Sequence, residues 1–225
     1  MKNLYRSLLS ILFPNRCPLC RTVLPSKQNL CDACFTKMSL LENPIRQEGE
    51  GSLDLFYSLY PYRHTFTKTV LFSMKNIGYD NSVAYAAERM ARFVQKDAYL
   101  KNATAVTFCP RRPGERLRFG FDQAQLIAKA LANHLSLPYV AALRRKAGGK
   151  RQRGTSGEKR QNNVKGRFIP RPQYELSGNI VILVDDVITT GATVRECASV
   201  LKLQMGAHKV YALSFTSPAL KTEEE

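Results

Sequence analysis

The sequence predicts an α/β fold, a parallel sheet flanked by helices, with a small metal-nucleated module at its N-terminal end. Three observations predict it. Short apolar runs of strand length alternate with segments of helical spacing through the second half of the chain; residues 180–184 are continuously apolar, as a strand covered on both faces requires; and four cysteines fall in two close pairs before residue 35. A chain of 225 residues is long enough for one such domain plus the module. The expected division is residues 1–45 for an N-terminal helix and the metal module, and residues 46–225 for the α/β domain.

Each element has its own signal. Leu4, Leu8, Leu9, Ile11 and Leu12 suit a short amphipathic helix; the basic start resembles a signal peptide, but Ser7 and Ser10 break the apolar run, which leads straight into the cysteines. Residues 53–62, LDLFYSLYPY, are aromatic strand material, read as a hood over a site. Helical spacing covers 65–75 and 81–96, broken at Gly78. Residues 103–108 are predicted as the first central strand, 123–135 a helix, 139–143 a strand, 167–169 a short strand, 180–184 the next strand, 192–204 a helix and 210–215 the closing strand. No segment approaches transmembrane length, and the protein is expected in the cytoplasm.

Cys17, Cys20, Cys31 and Cys34 stand as CPLC and CDAC, the spacing of a structural zinc site; four thiolates around one tetrahedral ion leave no position open for chemistry. The competing reading is two disulfides, but pairs separated by two residues are poor staples in a chain with a full core. Cys109 and Cys197 read as buried free thiols.

The most informative stretch is NIVILVDDVITTGATVRECASVL, residues 179–201. An apolar strand meets two carboxylates, Asp185 and Asp186, and then a hydroxyl-rich turn opens a helix near Ala192. Ionised carboxylates only accept hydrogen bonds, which suits ribose hydroxyls and the water shell of Mg2+, and both are expected to project into solvent or ligand. Thr189, Thr190 and Thr193 supply donors, Gly191 lets the backbone approach closely, and the free N–H groups of the helix start suit a phosphate. The bland alternative is a strand end solvated by two aspartates, followed by an ordinary helix cap. Arg111 and Arg112 follow the 103–108 strand as Asp185 follows its own, so they are candidates to meet a diphosphate across the same sheet edge.

The acidic pair and TTGAT turn resemble the phosphoribosyl pyrophosphate (PRPP) fingerprint of type I phosphoribosyltransferases. In order along the chain, the four-cysteine knuckle, RFGFDQAQLIAKALA, RQNNVKGRF and DDVITTGAT resemble the ComF (ComFC) family associated with bacterial competence. That resemblance implies a type I phosphoribosyltransferase-like sheet, with PRPP and Mg2+ held by Asp185, Asp186, Thr189, Thr190, Gly191, Ala192 and Thr193, and structural Zn2+ on the cysteines. Lys75 corresponds to a lysine common in the family. The resemblance also implies DNA uptake in natural transformation, handling of incoming single-stranded DNA with a competence helicase of the ComFA type, and association with the inner face of the membrane through partners. The alternative is an active Mg2+-dependent phosphoribosyltransferase with an unidentified nitrogenous acceptor and no direct DNA role. Asp122 stands where the family usually has asparagine. Thr189 stands where 6-oxopurine enzymes usually carry a carboxylate, and a threonine cannot take a proton from a purine at neutral pH.

The formal charge of +16 calls for an anionic partner or environment. Much of it falls in residues 144–171, nearly free of acids and rich in Gly, Ser and Gln, read as a mobile basic loop. Its Arg144, Arg145, Lys146, Lys150, Arg151, Arg153, Lys159 and Arg160 suit closure over PRPP, contact with single-stranded nucleic acid, or plain solvation.

Overall fold

The computed structural model describes residues 14–25, 28–74, 80–111, 114, 120–146 and 166–218. The expected N-terminal helix, Lys75, Arg112 and residues 147–165 of the basic segment lie outside them.

The chain order is α1 (Asp32–Leu40), β1 (Ile45–Glu48), β2 (Leu55–Pro61), α2 (Thr65–Ser73), α3 (Asp80–Lys96), a 3-10 turn (Leu100–Asn102), β3 (Ala105–Phe108), α4 (Gln123–Leu135), β4 (Leu143–Arg145), β5 (Phe168–Pro170), β6 (Ile180–Val187), α5 (Ala192–Leu203) and β7 (Lys209–Ser217). Five strands form one sheet in the order β1-β2-β7-β6-β3, and β4 pairs with β5 separately. From β2 to β3 all pairs are parallel, whereas β1 runs antiparallel on the edge, so the sheet is mixed.

Alternation along the central strands sorts their side chains into two cores. On β6, Ile182 and Val184 join Tyr57, Met90, Ile127, Leu131 and Leu213 beneath α3 and α4. Val181 and Leu183 face the other way, with Phe56, Val210, Ala212, Val194, Cys197 and Leu201, beneath α5. Helices on both faces explain why every residue of β2 is buried.

Four expectations are corrected by this arrangement. Residues 53–62 are no hood: β2 lies inside the sheet, between β1 and β7. The 103–108 segment is not central, because β3 ends the sheet order. The predicted 139–143 strand reduces to one bridge, Val106 with Tyr139; Pro138 has no N–H to donate, and the chain turns away to pair Leu143 with Pro170. Finally, the strand read as 180–184 runs on to Val187, so both aspartates lie within it rather than beyond it.

Parallel pairing puts the C-terminal ends of β2, β7, β6 and β3 on one edge. Phe108 lies opposite Val184, so Arg111, three residues further on, reaches the level of the aspartates.

Candidate functional site: an acidic strand end, a phosphate-sized turn and a four-cysteine knuckle

The knuckle forms because each cysteine pair is locally pinned. Cys17 N–H donates to Thr22 O at 2.8 Å and Arg21 N–H to Cys17 O at 2.9 Å, which closes the first loop around Cys17 and Cys20. Cys31 caps α1 and Cys34 follows within its first turn, on the same helix face. All four Sγ atoms lie within 4.8 Å of one another. Tetrahedral Zn–S bonds of about 2.3 Å would set them roughly 3.8 Å apart, so the cluster fits one zinc ion. Nearby Leu24, Leu30 and Met38 belong to the same apolar cluster as Tyr57, Tyr85 and Met90, so the metal module and the sheet share a core.

At the sheet edge the two aspartates are neighbours within β6, and their carboxyls stay close enough to interact. Asp186 shares the parity of Val184 and turns toward α4, where Arg111 Nη2 meets its Oδ2 at 2.8 Å; the two side chains are only 18 % and 13 % exposed. Arg111 also donates its backbone N–H to Asp122 Oδ2 at 2.8 Å. Asp122 precedes Gln123 at the start of α4, is 3 % exposed, and its Oδ1 finds no partner among the described residues. Burial pushes the Asp122 carboxyl above the usual range, against the pull of the Arg111 N–H and guanidinium. The expectation that Asp186 projects freely is therefore corrected: it is paired, and its partner is one of the two arginines predicted to face a diphosphate.

Asp185 shares the parity of Leu183 and faces α5. Its Oδ1 accepts the Asp186 N–H at 2.9 Å. Burial, then the charge of Asp186, push it well above the ordinary carboxylate range. Cys109 and Cys197 are both buried and free, as expected, on this same side of the sheet.

After Val187 the chain makes its turn. Gly191, with φ of 73°, caps α5 in the left-handed region that favours glycine. Asp185, Thr189, Thr190, Gly191, Ala192 and Thr193 line a concavity of about 40 Å³. At roughly 15 Å³ for each water position, that is room for about three, the scale of one phosphate group's oxygens. Thr189 and Thr190 are exposed, and the first N–H groups of α5 have no helical acceptors. Beyond the turn, a cleft of about 110 Å³ is lined by Glu48, Glu50, Phe56, Thr189, Gly191 and Arg195, among others.

The structure thus brings Asp185, Asp186, Arg111 and the 189–193 turn to one edge. The sequence marks Asp122 only as a departure from the family's usual asparagine, and it does not single out Arg195. Asp122 carried a signal, since it occupies the residue before a strong helical pattern; Arg195 is one turn into α5, and its position becomes visible only in the folded chain.

Comparison with known proteins agrees with this layout. Residues 8–46 match the double zinc ribbon domain and residues 122–217 the phosphoribosyl transferase domain. The chain is 29 % identical over 133 residues to competence protein F of Haemophilus influenzae, covering 58 % of each chain. It is 35 % identical over 94 residues to the DNA utilization protein YhgH of Escherichia coli K12, covering 41 % of this chain and 40 % of that one. The chain thus spans between two fifths and three fifths of the length of these relatives. Among solved structures, adenine phosphoribosyltransferase from Leishmania tarentolae aligns with a TM-score of 0.42 and 13 % identity, over 90 % of this chain and 97 % of that one. Among the described residues, no helix is long and apolar enough to cross a membrane. With a zinc ribbon match leading into a phosphoribosyltransferase-like sheet, and with similarity to competence protein F and YhgH, this chain resembles the ComF family.

Proposed function

We propose that the chain binds PRPP at the edge formed by β3, β6 and α5, and that it serves DNA uptake by handling single-stranded DNA. One observation carries the first half: Asp185 and the 189–193 turn line a single concavity, while Asp186, the next residue, holds the Arg111 cation from the loop after β3. In this reading the 5-phosphate sits on the N–H groups and hydroxyls of Thr189, Thr190, Gly191, Ala192 and Thr193. Asp185 and Asp186 accept from the ribose hydroxyls, and Arg111 turns from Asp186 to the diphosphate. Arg112 and Lys75 are proposed to add charge to the diphosphate.

Among the described residues only the cysteines gather three or more metal-ligating atoms, so Mg2+ is expected to arrive with the ligand's oxygens and reach Asp185 and Asp186 through water. When bound, it would neutralise the leaving diphosphate. Arg111 does the same from the protein side, and both carboxylates favour a ribose that becomes cationic as its anomeric C–O bond lengthens.

The second half rests on the charge of +16 and on the relatives, whose names attach them to competence and to DNA utilization. A competence helicase is the partner this role implies, with the protein in the cytoplasm or at the inner face of the membrane. A test of turnover is pyrophosphate release from PRPP and Mg2+ across a panel of nitrogen bases and single-stranded oligonucleotides. Binding without release identifies a regulatory PRPP site; release with one acceptor identifies a transferase.

A further inference from the structure

We infer that Arg195 is a positioning residue of the 5-phosphate turn, its guanidinium set against Gly191 and adding a fixed positive charge to the α5 N-terminus. The inference rests on the PRPP reading of that turn and assigns it a side chain outside the DDVITTGAT segment.

Arg195 lies one turn into α5, and its N–H donates to Gly191 O at 2.9 Å. The side chain folds back toward the turn: its Nη1 would stand 2.9 Å, and its Cζ 3.6 Å, from a Cβ placed on Gly191. Gly191 is thus constrained twice, by its left-handed backbone and by the guanidinium against it. Arg195 lines the larger cleft and Asp185 the smaller concavity, and Thr189, Thr190 and Gly191 border both. The turn therefore has a cation against Gly191 and an open concavity bordered by its hydroxyls.

Across the cleft, Glu50 Oε2 stands 3.4 Å from Arg195 Nη1; Arg195 is 26 % exposed and Glu50 77 %. An ion pair with one partner so exposed is screened and weak. Glu50 limits where the guanidinium goes without quenching its charge. Glu50 is itself placed by a tight turn, since Gly49 N–H donates to Asp54 O at 2.9 Å and a Cβ on Gly49 would meet Leu53 O at 2.0 Å. A helix N-terminus carries roughly half a positive charge, so a full charge one turn inside it reinforces the attraction for a dianion.

Ribose 5-phosphate isolates this subsite, because it carries the phosphate without diphosphate or its Mg2+. The experiment measures ribose 5-phosphate and PRPP binding by calorimetry in wild type, Arg195→Met, Arg195→Lys and Glu50→Gln, between pH 5.5 and 8. The expected result is about tenfold weaker binding of both ligands in Arg195→Met, near-complete recovery in Arg195→Lys, and a two- to threefold gain in Glu50→Gln. Wild-type affinity should also rise more steeply than that of Arg195→Met as the phosphate loses its second proton. Unchanged affinity in a folded Arg195→Met overturns the inference, and so does an equal loss in Arg195→Lys, which would mark a packing role. If wild type binds neither ligand, the PRPP reading itself has failed.

Discussion

The two adjacent aspartates differ in what they cost the empty protein. Asp186 is matched by Arg111, so Asp186→Asn leaves a mostly buried guanidinium without its counter-charge and should destabilise the fold by about 1–3 kcal/mol. Asp185 is the opposite case. Its carboxyl is raised in the folded state, so the native protein binds that proton more tightly than the unfolded chain does. Stability then falls as pH rises from the unfolded value, about 3.9, through the folded one, and the penalty is complete above it. Asp185→Asn should therefore be more stable than wild type at neutral pH, with the advantage vanishing at pH 3–4. Asp122, also raised by burial, contributes in the same sense, so a residual slope should persist in the Asp185→Asn variant. Urea titrations of both variants across this range, in Mg2+-free buffer, check the opposite signs. Both aspartates were legible from residue type alone. That they part company was not, because it depends on the strand continuing to Val187, and an acidic pair after IVILV reads most simply as its end.

Among the elements, those with sustained periodicity were read closely: α4 at 123–135 coincides with its prediction, and α5 ends one residue short of it. Elements whose place depends on partners were not. The sequence LFYSLYP suits any buried strand, and nothing within it tells that β7, over 150 residues later, lies beside it. Likewise the basic segment's base was visible only as a short strand, whereas the fold pairs Arg144 with Ile169 and stacks Arg145 on Phe168 at 5.0 Å. The β1–β2 turn offers a direct test of local necessity. Gly49→Ala forces a Cβ into the Leu53 carbonyl and should cost at least about 2 kcal/mol in thermal or chemical unfolding, with β1 the region that loses hydrogen-exchange protection first. At the knuckle, chelation of zinc or Cys34→Ser should remove more than α1. Leu24, Leu30 and Met38 pack into the core of the sheet, so the midpoint of whole-protein unfolding should fall by roughly 10–20 °C, corresponding to about 5 kcal/mol in a chain of this length. Metal analysis should find one zinc per chain, and calorimetric scans with and without chelator read the shift.

For the whole molecule, charge is the dominant property: +16 over a chain whose proposed ligand is a magnesium-bearing phosphate. If single-stranded DNA is its partner, binding should show little sequence preference and weaken steeply with salt as counterions are released from the phosphates. Neutralising Arg144, Arg145, Lys146, Lys150, Arg151, Arg153, Lys159 and Arg160 should flatten that slope in a fluorescence-anisotropy titration while leaving ribose 5-phosphate binding intact; an unchanged slope would assign DNA contact elsewhere. The central claim is that the β6–α5 junction binds PRPP, and calorimetric titration of PRPP with Mg2+ into wild type and Asp185→Asn tests it most directly. The variant is suited to this because it should be folded and at least as stable as wild type. Saturable one-to-one binding by wild type, weakened at least tenfold in Asp185→Asn, is the predicted result; equal affinity in the two, or no binding by wild type, would contradict it.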